Sequence, residues 1–359
     1  MSTLFKHYKW DLAITGLVFA LIAAFYGPIE MLPLAILVVL EISFSFDNAV
    51  VNAKVLQKMS HGWQIAFLTV GILIAVFGMR FVFPILIVSL TAGLGFAEVI
   101  DLALNDSHLY AEKLEAAHGQ IAMLGGIFLL MIFLNFVFEE KEIMWLKPIE
   151  ERLSRVGKID TISAMLAIFV ILIISSLANE NGDKLMYAGV ISLALYLGVN
   201  ALANVFDDAD DELDEESPDS VSGSQVVRVG AAGFGLFMYL EAQDAAFSFD
   251  GVSAAFAVTD KIVLIAAGLG VGALFVRSMT IHLLRSGHLT EYRYLEHGAH
   301  WAIGVLSLCI LISIFTPISE YITGLIGVVF IAASVLSSIK AKKGDVSDEL
   351  KQFAADVSG

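Results

Sequence analysis

An all-α membrane protein of about ten transmembrane helices, arranged as a 5+5 inverted repeat with broken motif helices, is the fold that three observations predict. Of the 359 residues, 58% are hydrophobic and only 16% charged, with a mean hydropathy of +0.80, whereas a soluble domain carries about 25% charged residues. Apolar stretches long enough to cross a bilayer, roughly 20 residues each, recur along the whole chain. The tetrapeptide Phe-Ser-Phe-Asp occurs twice inside such stretches, at Phe44–Asp47 and Phe247–Asp250, with a second carboxylate upstream of each copy, Glu41 and Asp244.

Taken in order, the spans fall near 11–27, 31–57, 63–93, 118–139, 160–178, 184–206, 226–257, 260–284, 298–316 and 319–339. The first could pass for a leader peptide, yet another span follows at once, so it is read as a retained helix. Residues 1–159 then form a first repeat of helices 1–4 plus a basic amphipathic segment, Lys141–Lys158, on the inner surface. Residues 160–206 hold helices 5 and 6, 207–225 an acidic cytoplasmic loop, 226–340 the second-repeat helices 7–10, and 341–359 a cytoplasmic tail. Between helices 3 and 4 the loop Glu98–Ala117 reads as partly helical.

Orientation follows from the 21 basic residues. Arg80 and Arg277 lie inside apolar runs, and only Lys113, Lys184 and Lys261 fall on the outer side; the rest are on the side that holds both termini, which is therefore cytoplasmic. A location in the inner membrane is expected. The motif helices, second and seventh, are five crossings apart, and an odd shift means opposite orientation. Arg80 answers Arg277 in the helices that follow, and His118 answers His300 one helix later. Such inverted repeats are a transporter architecture.

Acids inside a membrane are functional sites by default. In a continuous helix Glu41, Ser45 and Asn48 share a face, and Asp244, Ser248 and Gly251 repeat the pattern, with Glu241 one turn earlier. Asp47 and Asp250 reach the same point only if the helices unwind near Ser-Phe-Asp. The donors on offer are carboxylates, hydroxyls (Ser45, Ser248), amides (Asn48, Gln243) and backbone carbonyls, a hard-oxygen set that suits Mg²⁺, Ca²⁺ or Mn²⁺. Four carboxylates, two arginines and one dication sum to zero; without the metal, one or two carboxylates are expected to take protons, a physical basis for proton exchange. The competing reading is that the acids merely pair with Arg80 and Arg277 and lock the helices together, although burying ion pairs seldom stabilises.

Other features carry less. His118 and His300 are candidates for a gate or a second metal relay, against the commoner role of a solvated helix-end residue. The run Asp207–Asp219, nine acids in thirteen positions, could concentrate cations; it lacks the calcium-loop pattern, and a solvated linker is the more frequent reading. The single cysteine, Cys309, excludes an intrachain disulfide and argues against a thiolate metal site. The net charge of −16 comes with no basic stripe, so nucleic acid is not an expected partner. No nucleotide-binding glycine loop, zinc-protease motif or nucleophile elbow occurs, so neither an enzyme nor an organic cofactor is expected.

The segments Glu41–Leu56 and Glu241–Asp260 resemble the two signature segments of the TerC-like integral membrane proteins, named for tellurium resistance, and more closely their longer uncharacterised branch, related to LysE-type exporters. The resemblance implies a multi-pass inner-membrane protein whose relatives export manganese or act in tellurite and metal stress. Its acidic residues fall on Glu41, Asp47, Asp244 and Asp250, with Asn48 matching the motif Asn and Gly251 departing from it. The expected function is thus secondary export of a divalent cation, Mn²⁺ first and Ca²⁺ next, with proton exchange. The alternatives are a LysE-like small-solute exporter or a membrane scaffold that docks soluble tellurium- or metal-stress proteins. Oligomeric state is not legible.

Overall fold

The computed structural model describes residues 8–159, 161–178, 181–214, 230–256, 258–259, 261–286 and 292–358, and every regular element among them is helical. Helix α1 (Lys9–Phe25) is followed by Gly27 at φ 95° and a single 3-10 turn that Pro28 opens. α2 (Met31–Phe44) stops at Ser45, and α3 (Phe46–Gln57) leaves with a bend of 51° between the two. α4 (His61–Ala92) is π-helical over Phe67–Gly71 and Ile74–Val82 and ends on Gly93 in the left-handed region at φ 67°. The loop expected to be partly helical forms α5 (Phe96–Asn105) and α6 (Ser107–Ala116), the latter capped by Asp106 accepting from the Leu109 N–H at 3.2 Å. α7 (His118–Phe138), α8 (Lys147–Val156), α9 (Ile162–Leu177), α10 (Gly182–Asp214), α11 (Gly230–Phe256), α12 (Ile262–Ser286), α13 (Leu295–Ser313) and α14 (Glu320–Ser358) complete the chain.

Six helices among the described residues are long and apolar enough to cross a membrane, namely His61–Ala92, His118–Phe138, Gly182–Leu202, Ile262–Arg285, Leu295–Ser313 and Leu325–Lys342, and α2 with α3 makes a seventh if the bent pair is one crossing. The protein is therefore a multi-pass membrane protein, with fewer clear spans than the ten expected. The shortfall has simple causes. α1 has 17 residues and α9 has 16, while α11 lowers its own hydropathy with Glu241, Asp244 and Asp250.

Two expectations are corrected. The second motif helix does not unwind, since α11 runs unbroken through Gly251. The acidic stretch 207–225 is not all loop: α10 continues to Asp214, and the rest lies outside the described residues.

Packing centres on α7, antiparallel to α13. His118 meets Ser313 at one end, Gly126 faces Leu311 in the middle, and Phe136 stacks on His300 at the other end. Glycines let backbones approach, as is usual between membrane helices. The outer surface is apolar, with Phe25 79% and Leu90 75% exposed, a covering that acyl chains accept and water does not.

Candidate functional site

The two motif helices meet at a buried charged cluster. Arg80 on α4 makes an ion pair with Glu41 on α2, and Ser45 Oγ donates to the same carboxylate at 3.1 Å. Arg277 on α12 sits 3.3 Å from Asp244 and 3.7 Å from Glu241, both on α11. All five charged groups are 2–6% exposed. Each arginine thus pairs with the acid upstream of one Phe-Ser-Phe-Asp copy.

The two motif segments also reach across to each other. Asn48 Nδ2 donates to Asp244 Oδ1 at 2.6 Å. The counterpart of Asn48 is Gly251, and a Cβ there would lie 3.0 Å from Glu41 Oε2. In each motif segment, the residue seven after the upstream acid faces the acid of the other segment. The missing side chain at 251 therefore serves close approach of a continuous helix rather than unwinding. One step further along the same seam, Gln243 Nε2 lies 3.4 Å from Asn52 Oδ1.

Three carboxyl groups face two guanidinium groups among the described side chains, so one acid has no countercharge of its own. Among the described residues neither oxygen of Glu241 has a hydrogen-bond donor, and the Oε1 of Gln243 and the Nε of Arg80 are buried without a partner as well. A buried acceptor left without a donor costs about 1–3 kcal/mol, and more when charged. Among the described residues, no group of three or more His, Cys, Asp or Glu side chains is placed to hold a metal ion. The side chains of Asp47, Ser248 and Asp250, expected to complete such a site, lie outside the described ones.

The family model for a protein of unknown function, DUF475, matches residues 46–345. The chain belongs to the DUF475 family. Neither a curated protein nor a solved structure matches it. The DUF475 match carries neither the TerC name nor an activity, so the TerC-like resemblance rests on the two motif segments. It begins within the first motif and leaves Glu41 just outside.

Close-packing glycines of this DUF475 protein escaped the sequence reading. A Cβ at Gly71 would fall on Glu241 Oε1, and one at Gly272 on Glu41 Cβ. A signal existed: Gly71 with Ala75 and Gly268 with Gly272 are small residues four apart, the spacing that brings membrane helices together. Ala75 and Gly272 each precede their arginine by five residues.

The histidines do not share a site. His118 Nε2 contacts Ser313 Oγ at 3.1 Å, whereas His300 stacks on Phe136 and its Nδ1 faces the Glu296 carbonyl at 2.9 Å. Phe136 lies 18 residues beyond His118 on α7, a separation of about 27 Å at 1.5 Å per residue. His300, moreover, sits in the second turn of α13 rather than opening it. The two side chains therefore cannot ligate one ion.

A second polar cluster was not anticipated. Glu150 on the amphipathic α8 is 3% exposed; it accepts from Trp301 Nε1 at 2.9 Å and from the Trp145 N–H at 3.0 Å, and faces His297 Nδ1 at 3.1 Å. Beside it, Lys54 at the end of α3 pairs with Glu296 at 2.9 Å. Burial pushes the Glu150 carboxyl up, but hydrogen bonds from His297 and Trp301 and the charge of His297 outweigh it and hold the group at about 2.

Proposed function

We propose that the protein is a secondary transporter that exports a divalent cation, Mn²⁺ foremost and Ca²⁺ next, through the acidic cluster between α2/α3 and α11, with protons moving the opposite way. The observation that carries this reading is the reciprocal contact of the two motif segments around a third buried acid: Asn48 on Asp244, Gly251 against Glu41, and Glu241 with no hydrogen-bond donor among the described residues. A purely structural pair of ion bridges needs no third acid. The oxygen donors available are those hard dications prefer, and the first motif helix bends by 51° beside them, as broken transporter helices do at an ion site.

In this reading the ten-helix, 5+5 inverted arrangement supplies two halves that rock about the cluster, with both termini in the cytoplasm and the chain in the inner membrane. Asp47 and Asp250 complete the cation's ligands, and the arginines yield as it arrives. Proteoliposomes loaded with a Mn²⁺ reporter provide the test. Wild-type protein should carry Mn²⁺ against a proton gradient, and Asp47→Asn or Asp250→Asn should abolish the flux. Undiminished flux in both variants, or flux indifferent to the proton gradient, would refute the cation site or its coupling respectively.

A further inference from the structure

Beyond the acid cluster, the seam between α3 and α11 turns apolar. Leu56 and Met59 at the end of α3, Phe67 on α4, and Phe237 and Leu240 on α11 form one buried cluster, all 0–7% exposed. Leu240 is one turn from Asp244 and Leu56 one turn from Asn52, so this layer separates the charged groups from the bundle end that Lys58 marks. The Gln64 amide bolts that end by donating to the carbonyls of Leu56 at 2.9 Å and Met59 at 3.0 Å. Trp63 Nε1 adds a bond to the Gly230 carbonyl at 3.0 Å.

The Arg277 side chain touches both layers. The Arg277 guanidinium lies 3.7 Å over the Phe67 ring and donates to the Phe67 carbonyl at 2.8 Å and to the Gly71 carbonyl at 3.1 Å, while it pairs with Asp244 and Glu241. Its carbonyl partners bound a π-helical stretch, where the ladder is already irregular. Arg80, the counterpart, instead touches Glu41 and the Ala75 carbonyl of its own helix.

We infer that Arg277 is a positioning residue that couples the acid cluster to an apolar seal formed by Leu56, Met59, Phe67, Phe237 and Leu240. A cation drawn to Asp244 and Glu241 competes with the guanidinium for their oxygens. As Arg277 withdraws, Phe67 loses its cation–π partner and two donors to its π-helical turn, and the seal loosens toward the Lys58 end. The seal itself follows from the contacts; its opening by a cation rests on the transport reading.

The test uses the full-length protein with Cys309→Ser and a reporter Leu240→Cys, in membrane vesicles of both orientations, labelled with a membrane-impermeant maleimide. Arg277→Lys keeps the charge but loses the planar fork, and should speed labelling from the Lys58 side at least tenfold. Arg80→Lys should leave Leu240→Cys protected. A second reporter, Ile85→Cys in the separate apolar cluster that also holds Leu34 and Leu264, should stay protected in all variants. Unchanged labelling of Leu240→Cys in Arg277→Lys would overturn the inference, and so would an equal rise at Ile85→Cys, which marks general loosening. In the otherwise wild-type background Mn²⁺ should raise Leu240→Cys labelling. If Arg277→Lys opens the seal and Mn²⁺ does not, the coupling stands and the cation reading falls.

Discussion

Replacing Glu150 by Gln should undock the amphipathic helix α8 from α13. The carboxylate gathers three donors at once, from Trp301, Trp145 and His297. An amide of the same shape turns one acceptor into a donor and removes the charge. The native group is held at about 2 against an ordinary 4.5, a gap of roughly 3 kcal/mol at about 1.4 kcal/mol per tenfold change in proton affinity. Screening at the membrane edge reduces this, so a loss of about 2 kcal/mol is expected, or a roughly 30-fold rise in the opening equilibrium of the segment. Because the folded value is depressed, the stabilisation is complete above about pH 4.5 and is lost as pH falls toward about 2. Hydrogen exchange of the α8 amides reads the opening directly, and Trp145 and Trp301 fluorescence reports the same event. Exchange of α8 in Glu150→Gln within threefold of wild type at neutral pH would refute the reasoning.

Three other outcomes follow from the contacts. Gly272→Ala places a Cβ 2.4 Å from Glu41 Cβ and 3.2 Å from the Val38 carbonyl, forcing α2 from α12; a loss of about 1–3 kcal/mol should lower the melting temperature in detergent, whereas Gly16→Ala, with nothing within 4 Å, should not. Glu41→Gln strands Arg80 in the interior, so a loss of about 3–5 kcal/mol is expected, most of it recovered when Arg80→Met is added; failure of the double variant to recover stability would count against the pairing. Deleting residues 207–219 should leave saturating Mn²⁺ flux intact in proteoliposomes, and loss of that flux would move the essential acids from the membrane to the loop.

Much of the molecule was legible because composition and apolar run length are properties of single segments, and a bilayer demands helices of that length. The duplicated motif named Glu41, Asp244, Arg80 and Arg277 before any contact was known, since a buried acid needs a countercharge and each half offered one arginine. The sequence also placed Asn48 and Gly251 in equivalent positions. What it could not supply was the register between helices: that Asn48 serves the other motif segment's Asp244, that Gly251 admits Glu41 on an unbroken helix, that His118 and His300 stand at opposite ends of the α7/α13 pair, and that Glu150 docks on His297. Those facts depend on how far backbones approach, which small residues such as Gly71 and Gly272 set only once their partner helix is in place. Lateral packing, unlike helix formation, is a property of pairs, and only the tertiary structure decided it.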